Sequence, residues 1–206
     1  CSQKVAVSET GEFSGEEIVV MDTGTCSGWC TYPITCDNGE AGDCTPANYG
    51  PTETADGNAF TWAPTAARYV RHWSSRGQNA GVHFMEIDVY GCEGVVEAAP
   101  ALTCDADINL DMLDDVVATC TGCDRHSNDD VGGAAVTVDG DHSPGTWTSA
   151  PHSTQPTCAT QAYVTIDLGQ MQTTTGVTIW HYYGNDRAYC SQKVAVSETG
   201  EFSGEE

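Results

Sequence analysis

Residues 67–91 read ARYVRHWSSRGQNAGVHFMEIDVYG, and this stretch decides the fold class. Its first part, residues 69–73, is rich in β-branched and aromatic side chains, which favour strands. Ser, Gly and Asn in residues 74–81 predict a turn-rich connection. Apolar residues then alternate along residues 82–89, with a slip of one place at residues 85–86 that indicates a β-bulge. The stretch therefore predicts two neighbouring β-strands.

The segments on either side have a different composition. Residues 26–58 are rich in Gly, Pro, Thr and Asp and contain four cysteines, which predicts a long, disulfide-stapled loop region. Residues 93–103 lack alternation and aromatic residues and contain a proline, as linkers do. Residues 110–118 follow a run of aspartates that lacks the Gly and Glu of a calcium loop, so a short helix is predicted there instead.

One segment of 17 residues occurs twice without a change, because residues 1–17 and 190–206 both read CSQKVAVSETGEFSGEE. So long a match predicts a tandem repeat, and positions 1 and 190 set its period at 189 residues. The chain is then one period plus an overlap, cut from a longer array inside a domain. The alternative is an artificial duplication of the segment.

The composition is strongly acidic. The formal net charge is −23, and removing the overlap, whose own net charge is −3, leaves −20 per period. Such a charge argues against nucleic acid and anionic membrane surfaces as partners. It is compatible with divalent cations or cationic surfaces as partners. It is equally compatible with a role in electrostatic repulsion between neighbouring assemblies. No apolar run reaches the length that spans a membrane, so membrane insertion is not expected.

Cysteine usage indicates the compartment. The chain has 11 cysteines, of which Cys1 and Cys190 are one position counted twice, so each period has ten. An even, dense set is typical of a disulfide framework in an oxidising, extracellular setting. The pair Cys120–Cys123 also fits a redox or zinc motif, but no histidine spacing completes a zinc finger.

Several motifs resemble a discoidin (coagulation factor 5/8 type C) domain. They are ARYVR…W and EIDVYGC within residues 67–92, AAVTVDGDHSPGTWTSA at residues 134–150, and YVTIDLGQ at residues 163–170. The resemblance implies an all-β fold, an eight-stranded antiparallel jelly-roll sandwich, here disulfide-rich. The first two motifs close the domain in that family and the others open it, so the chain presents the domain out of order.

The resemblance therefore implies two partial domains. Residues 1–92 are the C-terminal part of one discoidin-like domain, residues 93–103 a linker, and residues 104–206 the N-terminal part of the next. Family members commonly join their termini, which implies a disulfide between Cys104 and the Cys92 of the following period. We therefore expect each domain, or bead, to be made of residues 104–206 of one period followed by residues 18–92 of the next, and we call these continuous beads. In the alternative, the two halves of one chain close on each other through the linker, and one copy of the 17-residue segment is exchanged with a neighbour.

The loop DGDHSPGTW, residues 139–147, is the first candidate site. Asp139, Asp141 and the Thr146 hydroxyl are hard oxygen donors on a tight turn, as calcium requires. In related carbohydrate-binding members this loop holds a structural calcium together with a Glu of the closing strand, and Glu86 matches that Glu. We therefore expect a structural Ca²⁺ bound by these four residues; the alternative is a plain turn.

A ligand site is the second candidate. Fucose-binding members of the superfamily use one His and two Arg, and this sequence offers His181 and Arg187. It has Gln192 and Lys193 where the second Arg is expected, which departs from the pattern. Tyr182 is placed to stack on a sugar, although tyrosines near loops more often belong partly to the core.

No motif supports catalysis, so an enzyme is not expected. The sequence has no N-glycosylation site, while its Thr/Ser/Pro-rich stretches permit O-linked glycans. The best hypothesis is a structural repeat module of an extracellular filament or surface array, whose partners are the neighbouring repeats. The alternative is a calcium-dependent carbohydrate-binding adhesin or lectin, for which the repeats supply avidity.

Overall fold

The computed structural model of the chain describes residues 18–22, 30–31, 35–36, 53–74, 82–95, 104, 107–123, 133–143, 152–153, 162–183, 189, 192–198, 200 and 202. These residues form ten strands: β1 Ile18–Asp22, β2 Cys30–Thr31, β3 Thr35–Cys36, β4 Asn58–Ser74, β5 Val82–Val95, β6 Asp107–Asn109, β7 Val117–Thr121, β8 His152–Ser153, β9 Ala162–His181 and β10 Lys193–Ser197. Helical structure in these ranges is limited to the 3₁₀ helix Gly133–Val138. The fold is all-β, as predicted.

Eight of the strands belong to one antiparallel sheet. Its order is β1-β10-β4-β9-β5-β6, while β7 pairs with β9 and β8 pairs with β5. The strands β2 and β3 form a separate small hairpin inside the predicted loop region. Both parts of the chain thus contribute to a single sheet, because β4 precedes the predicted linker and β6 to β10 follow it. β5 begins before the predicted linker and continues through its first three residues, to Val95.

The two longest strands, β4 and β9, pair with each other over almost their whole length. Two register shifts interrupt this pairing, between Thr61 and Thr65 and between Ala67 and Tyr69. On its other side, β9 pairs with β7 through its first half and with β5 through its second half. One hydrophobic core contacts both halves, since Ile166 and Ile179 belong to the same cluster.

The bulge predicted in the second strand is present. The pairing of β5 with β9 shifts between Phe84 and Glu86. Side chains alternate between the faces of a strand, so the extra residue reverses which face each later residue occupies. Phe84, Ile87 and Val89 therefore all reach the core. Glu86 lies on the opposite face of the strand.

The helix predicted at residues 110–118 is wrong. Residues 110–116 form turns, and β7 begins at Val117. Asp115 has a positive φ of 71°, which no right-handed helix accommodates. Exposed and half-buried residues alternate along β7, which is the period of a strand, and its backbone pairs with β9. The acidic run resembles a helix start, but pairing with β9 gives residues 117–121 backbone partners along one side of the strand.

The second copy of the 17-residue segment supplies an inner strand of the sheet. β10 lies between β1 and β4, and its Val194 and Val196 are buried in the core. Phe202 packs edge-on against Trp73, and the guanidinium carbon of Arg71 lies 3.7 Å from the Phe202 ring centre. The first copy lies outside the described residues, and whether successive periods complete one another stays a prediction.

Candidate functional site

The face of β5 that is turned away from the main hydrophobic core carries two carboxylates. Glu86 and Asp88 are two positions apart and lie on the face opposite Ile87, because the bulge reverses the alternation just before them. Both are buried, Glu86 completely. In the pairing register, Glu86 lies opposite Trp180 of β9.

The loop after the 3₁₀ helix covers these carboxylates. The Gly140 N–H donates to Glu86 Oε1 at 3.0 Å. The His142 Nε2 atom lies 3.1 Å from each carboxylate oxygen of Asp88. The His142 ring packs against Trp180, with 4.2 Å between ring centres and 35° between the ring planes. The loop is therefore held to β5 by two polar contacts and to β9 by the ring contact with Trp180.

Burial disfavours the ionised form of the carboxyl groups in this cluster. Burial raises the pKa of Glu86 to about 8, against the opposing effect of the Gly140 N–H. The nearby carboxylates of Asp139, Asp88 and Asp111 raise it further. Burial likewise raises the pKa of Asp111 to about 6. Both shifts mean that the ionised acids lack a compensating positive charge here.

Two carboxylate oxygens in this cluster are buried and have no hydrogen-bond partner within the described part of the chain. They are Glu86 Oε2 and Asp111 Oδ2. Their companion oxygens are bonded, since Asp111 Oδ1 accepts from the Val89 N–H at 2.7 Å. A buried acceptor without a donor is costly, so the cluster is suited to a cation.

The predicted calcium ligands are brought together only in part. Glu86 lies against the loop, as the resemblance implies. Asp139 and Asp141 are exposed, and each uses one carboxylate oxygen to accept a backbone N–H two residues later. Thr146 lies outside the described residues. The donors that the structure groups are instead Glu86, Asp88 and His142. A set that includes a histidine nitrogen fits calcium poorly, because calcium prefers oxygen ligands.

The predicted sugar-binding histidine lies in the interior. His181 is fully buried on β9, and its ring stacks on Tyr189 at 4.4 Å. Its Nδ1 lies 2.9 Å from Glu53 Oε1, and its Nε2 lies 3.1 Å from Nε2 of His72. Both ring nitrogens are therefore engaged inside the protein. The sequence did not indicate Glu53 as a partner, since the two residues are 128 positions apart.

Glu53, His181, His72 and the Lys193 carbonyl oxygen form a buried chain of hydrogen bonds, along which the donors can be counted. His72 Nδ1 lies 3.1 Å from the Lys193 carbonyl oxygen, which only accepts, so Nδ1 carries a proton. Burial lowers the pKa of His72 well below its usual range, and the neighbouring His181 lowers it further. His72 is then neutral and its Nε2 accepts from His181. One more proton must lie between His181 and Glu53, because otherwise two acceptors would face each other.

This buried chain of hydrogen bonds also includes residues of the second copy of the repeated segment. Lys193 contributes its carbonyl oxygen to His72, and the Gln192 side-chain amide donates to the Tyr189 carbonyl oxygen at 3.2 Å. The same amide lies 3.5 Å from Glu53 Oε1. Gln192 and Lys193, which depart from the fucose-binding pattern, therefore join β10 to the core.

The remaining predicted ligand residues contribute less. Tyr182 is half-buried and packs against Met85 and Trp180. Its carbonyl oxygen accepts from the Tyr189 hydroxyl at 3.0 Å. Arg187 lies outside the described residues. The described part of the chain thus does not assemble the sugar-binding set.

Two disulfides join described cysteines. Cys92 and Cys104 are bonded, with their Cα atoms 5.2 Å apart. This is the pair that the resemblance implies, formed here within one chain, as in the closed alternative. Cys120 and Cys123 are also bonded to each other, so neither holds a zinc ion in this state.

Comparison with protein-family models, with curated proteins and with solved structures finds no match. In the part of the chain that the structure describes, no helix has the length and apolar character needed to cross a membrane.

Proposed function

We propose that the chain is a structural repeat module of an extracellular filament or surface array, built from near-identical discoidin-like jelly-roll units. One observation supports this most. The repeated 17-residue segment is not an appendage, because its second copy forms β10, an inner strand with β1 on one side and β4 on the other.

Continuity along an array explains the pairing of β1 with β10. In a tandem array, residue 206 is followed by residue 18 of the next period. The two strands are then joined by residues 198–206 alone, and their antiparallel pairing is that of a hairpin. Within one copy, the paired residues Asp22 and Lys193 are 171 positions apart. Closing the short loop costs roughly 2–3 kcal/mol less entropy than closing the long one.

Successive periods then form continuous beads. In each bead, the disulfide joins Cys104 at the start to Cys92 at the end. Its geometry is the same whether the two cysteines come from one period or from two successive periods. Residues 93–103 lead to the next bead. Because every junction has the same sequence, one rotation and one rise recur along the chain, which generates a regular array. The acidic surface keeps neighbouring assemblies apart.

The carbohydrate-binding alternative has less support from the structure. Its central residue, His181, is buried and bonded on both sides. The structure therefore gives more weight to a scaffold than to a lectin.

Electron microscopy of a chain of six successive periods tests the proposal. We expect an extended fibre of equal beads with one constant centre-to-centre spacing. A single-period chain provides the control, and it should give isolated particles or end-to-end pairs. Beads at irregular spacing, or a collapsed particle without an axial repeat, would be incompatible with a scaffold.

A further inference from the structure

We propose that Glu86, Asp88 and His142 bind a divalent transition-metal ion of the Zn²⁺ class. This inference does not depend on the proposed array function. It rests on the arrangement of three side chains, two from β5 and one from the loop after the 3₁₀ helix, and on one buried oxygen atom.

The three side chains are close enough to share an ion. One ligand atom from each lies within 4.8 Å of the others. His142 Nε2 is 3.1 Å from both oxygens of Asp88. Zinc bound to nitrogen and oxygen at about 2.0–2.2 Å in a tetrahedron separates its ligand atoms by about 3.3–3.6 Å. Small side-chain rotations therefore suffice to bind it.

Glu86 supplies the observation that points to a ligand. Its side chain is fully buried, and Oε2 has no hydrogen-bond partner among the residues the structure describes. Oε1 accepts from the Gly140 N–H, which fixes the orientation of the carboxylate. A bound cation would remove the cost of leaving Oε2 without a partner. Nothing else in the described surroundings performs that role.

His142 is positioned by contacts that hold its ring. The ring packs at a tilt against Trp180, and the indole N–H of Trp180 donates to the Ala55 carbonyl oxygen at 3.1 Å. The side chain of His142 is 43% exposed, whereas that of Asp88 is 6% exposed. The site is therefore open on its histidine side, which gives an ion and a water ligand access from solvent.

The donor set selects the class of metal. An imidazole nitrogen with two carboxylates suits zinc and its neighbours in the first transition series. Calcium takes six to eight oxygen ligands and disfavours nitrogen. The calcium set expected from the sequence shares only Glu86 with this site. The two occupants can therefore be distinguished through His142 and Asp141.

Calorimetry on the full chain, freed of metal with EDTA, tests the proposal. Zn²⁺ and Ca²⁺ are titrated separately. We expect one Zn²⁺ per chain at this site, and His142→Gln and Glu86→Gln should each weaken its binding about tenfold or more. Asp141→Asn, a change in the same exposed loop, should leave Zn²⁺ affinity within about twofold of the unsubstituted chain. Co²⁺ should give visible absorption that His142→Gln abolishes.

His142→Gln keeps the experiment interpretable, because this residue is exposed and its replacement leaves the core intact. The proposal is overturned if Zn²⁺ does not bind, or if its binding is the same in His142→Gln. It is also overturned if Ca²⁺ binds in preference and its binding is lost in Asp141→Asn but not in His142→Gln. That last result would assign the site to calcium.

Discussion

Replacement of Glu53 by Ala is expected to lower the free energy of unfolding by about 3–5 kcal/mol, as removal of one partner of a buried pair does. The carboxylate is buried, with Oε1 2.9 Å from His181 Nδ1, and its Oε2 accepts from the Asn58 amide at 2.8 Å. Alanine removes the partner of His181 Nδ1 and the partner of the Asn58 side-chain amide. Equilibrium unfolding in urea, followed by tryptophan fluorescence, measures the change.

The matched control is Glu53→Gln, which should retain most of the stability. Its amide oxygen can accept from Asn58, and its amide N–H can donate to His181 Nδ1. His181 then donates through Nε2 to His72, which donates to the Lys193 carbonyl oxygen, so every group keeps a partner. Equal destabilisation by the two substitutions, or a loss below about 1 kcal/mol in Glu53→Ala, would refute the buried chain as described.

Replacement of Gly91 by Ala should destabilise the protein by about 3–4 kcal/mol. A Cβ atom at this position would lie 2.1 Å from the Thr173 carbonyl oxygen and 2.5 Å from Leu110 Cδ1. Gly91 pairs with both β9 and β6, so the backbone on either side is fixed by the sheet. Thermal unfolding followed by circular dichroism gives the loss.

Gly169→Ala separates steric overlap from backbone strain. Gly169 has a positive φ of 77°, but a Cβ there would lie 3.4 Å from the Asp115 carbonyl oxygen. The expected loss is about 1–2 kcal/mol, from the left-handed conformation alone. If Gly91→Ala costs no more than Gly169→Ala, the close approach of β5 and β9 is not as the structure has it.

Strands with a strong local pattern were predictable from the sequence. Alternation with β-branched residues marked residues 82–89, and the slip at residues 85–86 located the bulge. Residues 110–118 were not predictable in the same way, because their acidic composition fits a helix start as well as a turn. The choice is made by pairing with β9, a distant segment that local composition does not reveal.

The candidate site was predictable only in part. Glu86 was identified through the resemblance, but Asp88 and His142 were not. The available signal was the Glu-x-Asp spacing beyond the bulge, which puts both carboxylates on one face, and a histidine in the covering loop. The buried pair of Glu53 and His181 gave no signal, since sequence alone does not show which distant polar residues meet in the interior.

The central claim is that each bead combines residues of two successive periods. Cys92 and Cys104 form a disulfide in both topologies. The topologies differ in the period that supplies Cys104: the preceding period in continuous beads, and the same period in the closed alternative. A chain of three periods is prepared with Cys104→Ser in the middle period only. Glu93→Asp in the third period marks its Cys92 peptide by mass. The unsubstituted three-period chain is the reference.

Free thiols are alkylated and the peptides are identified by mass spectrometry. Continuous beads predict that the substitution newly exposes the Cys92 thiol of the third period. If the Cys92 thiol of the middle period becomes reactive instead, each period closes on itself and the account is contradicted.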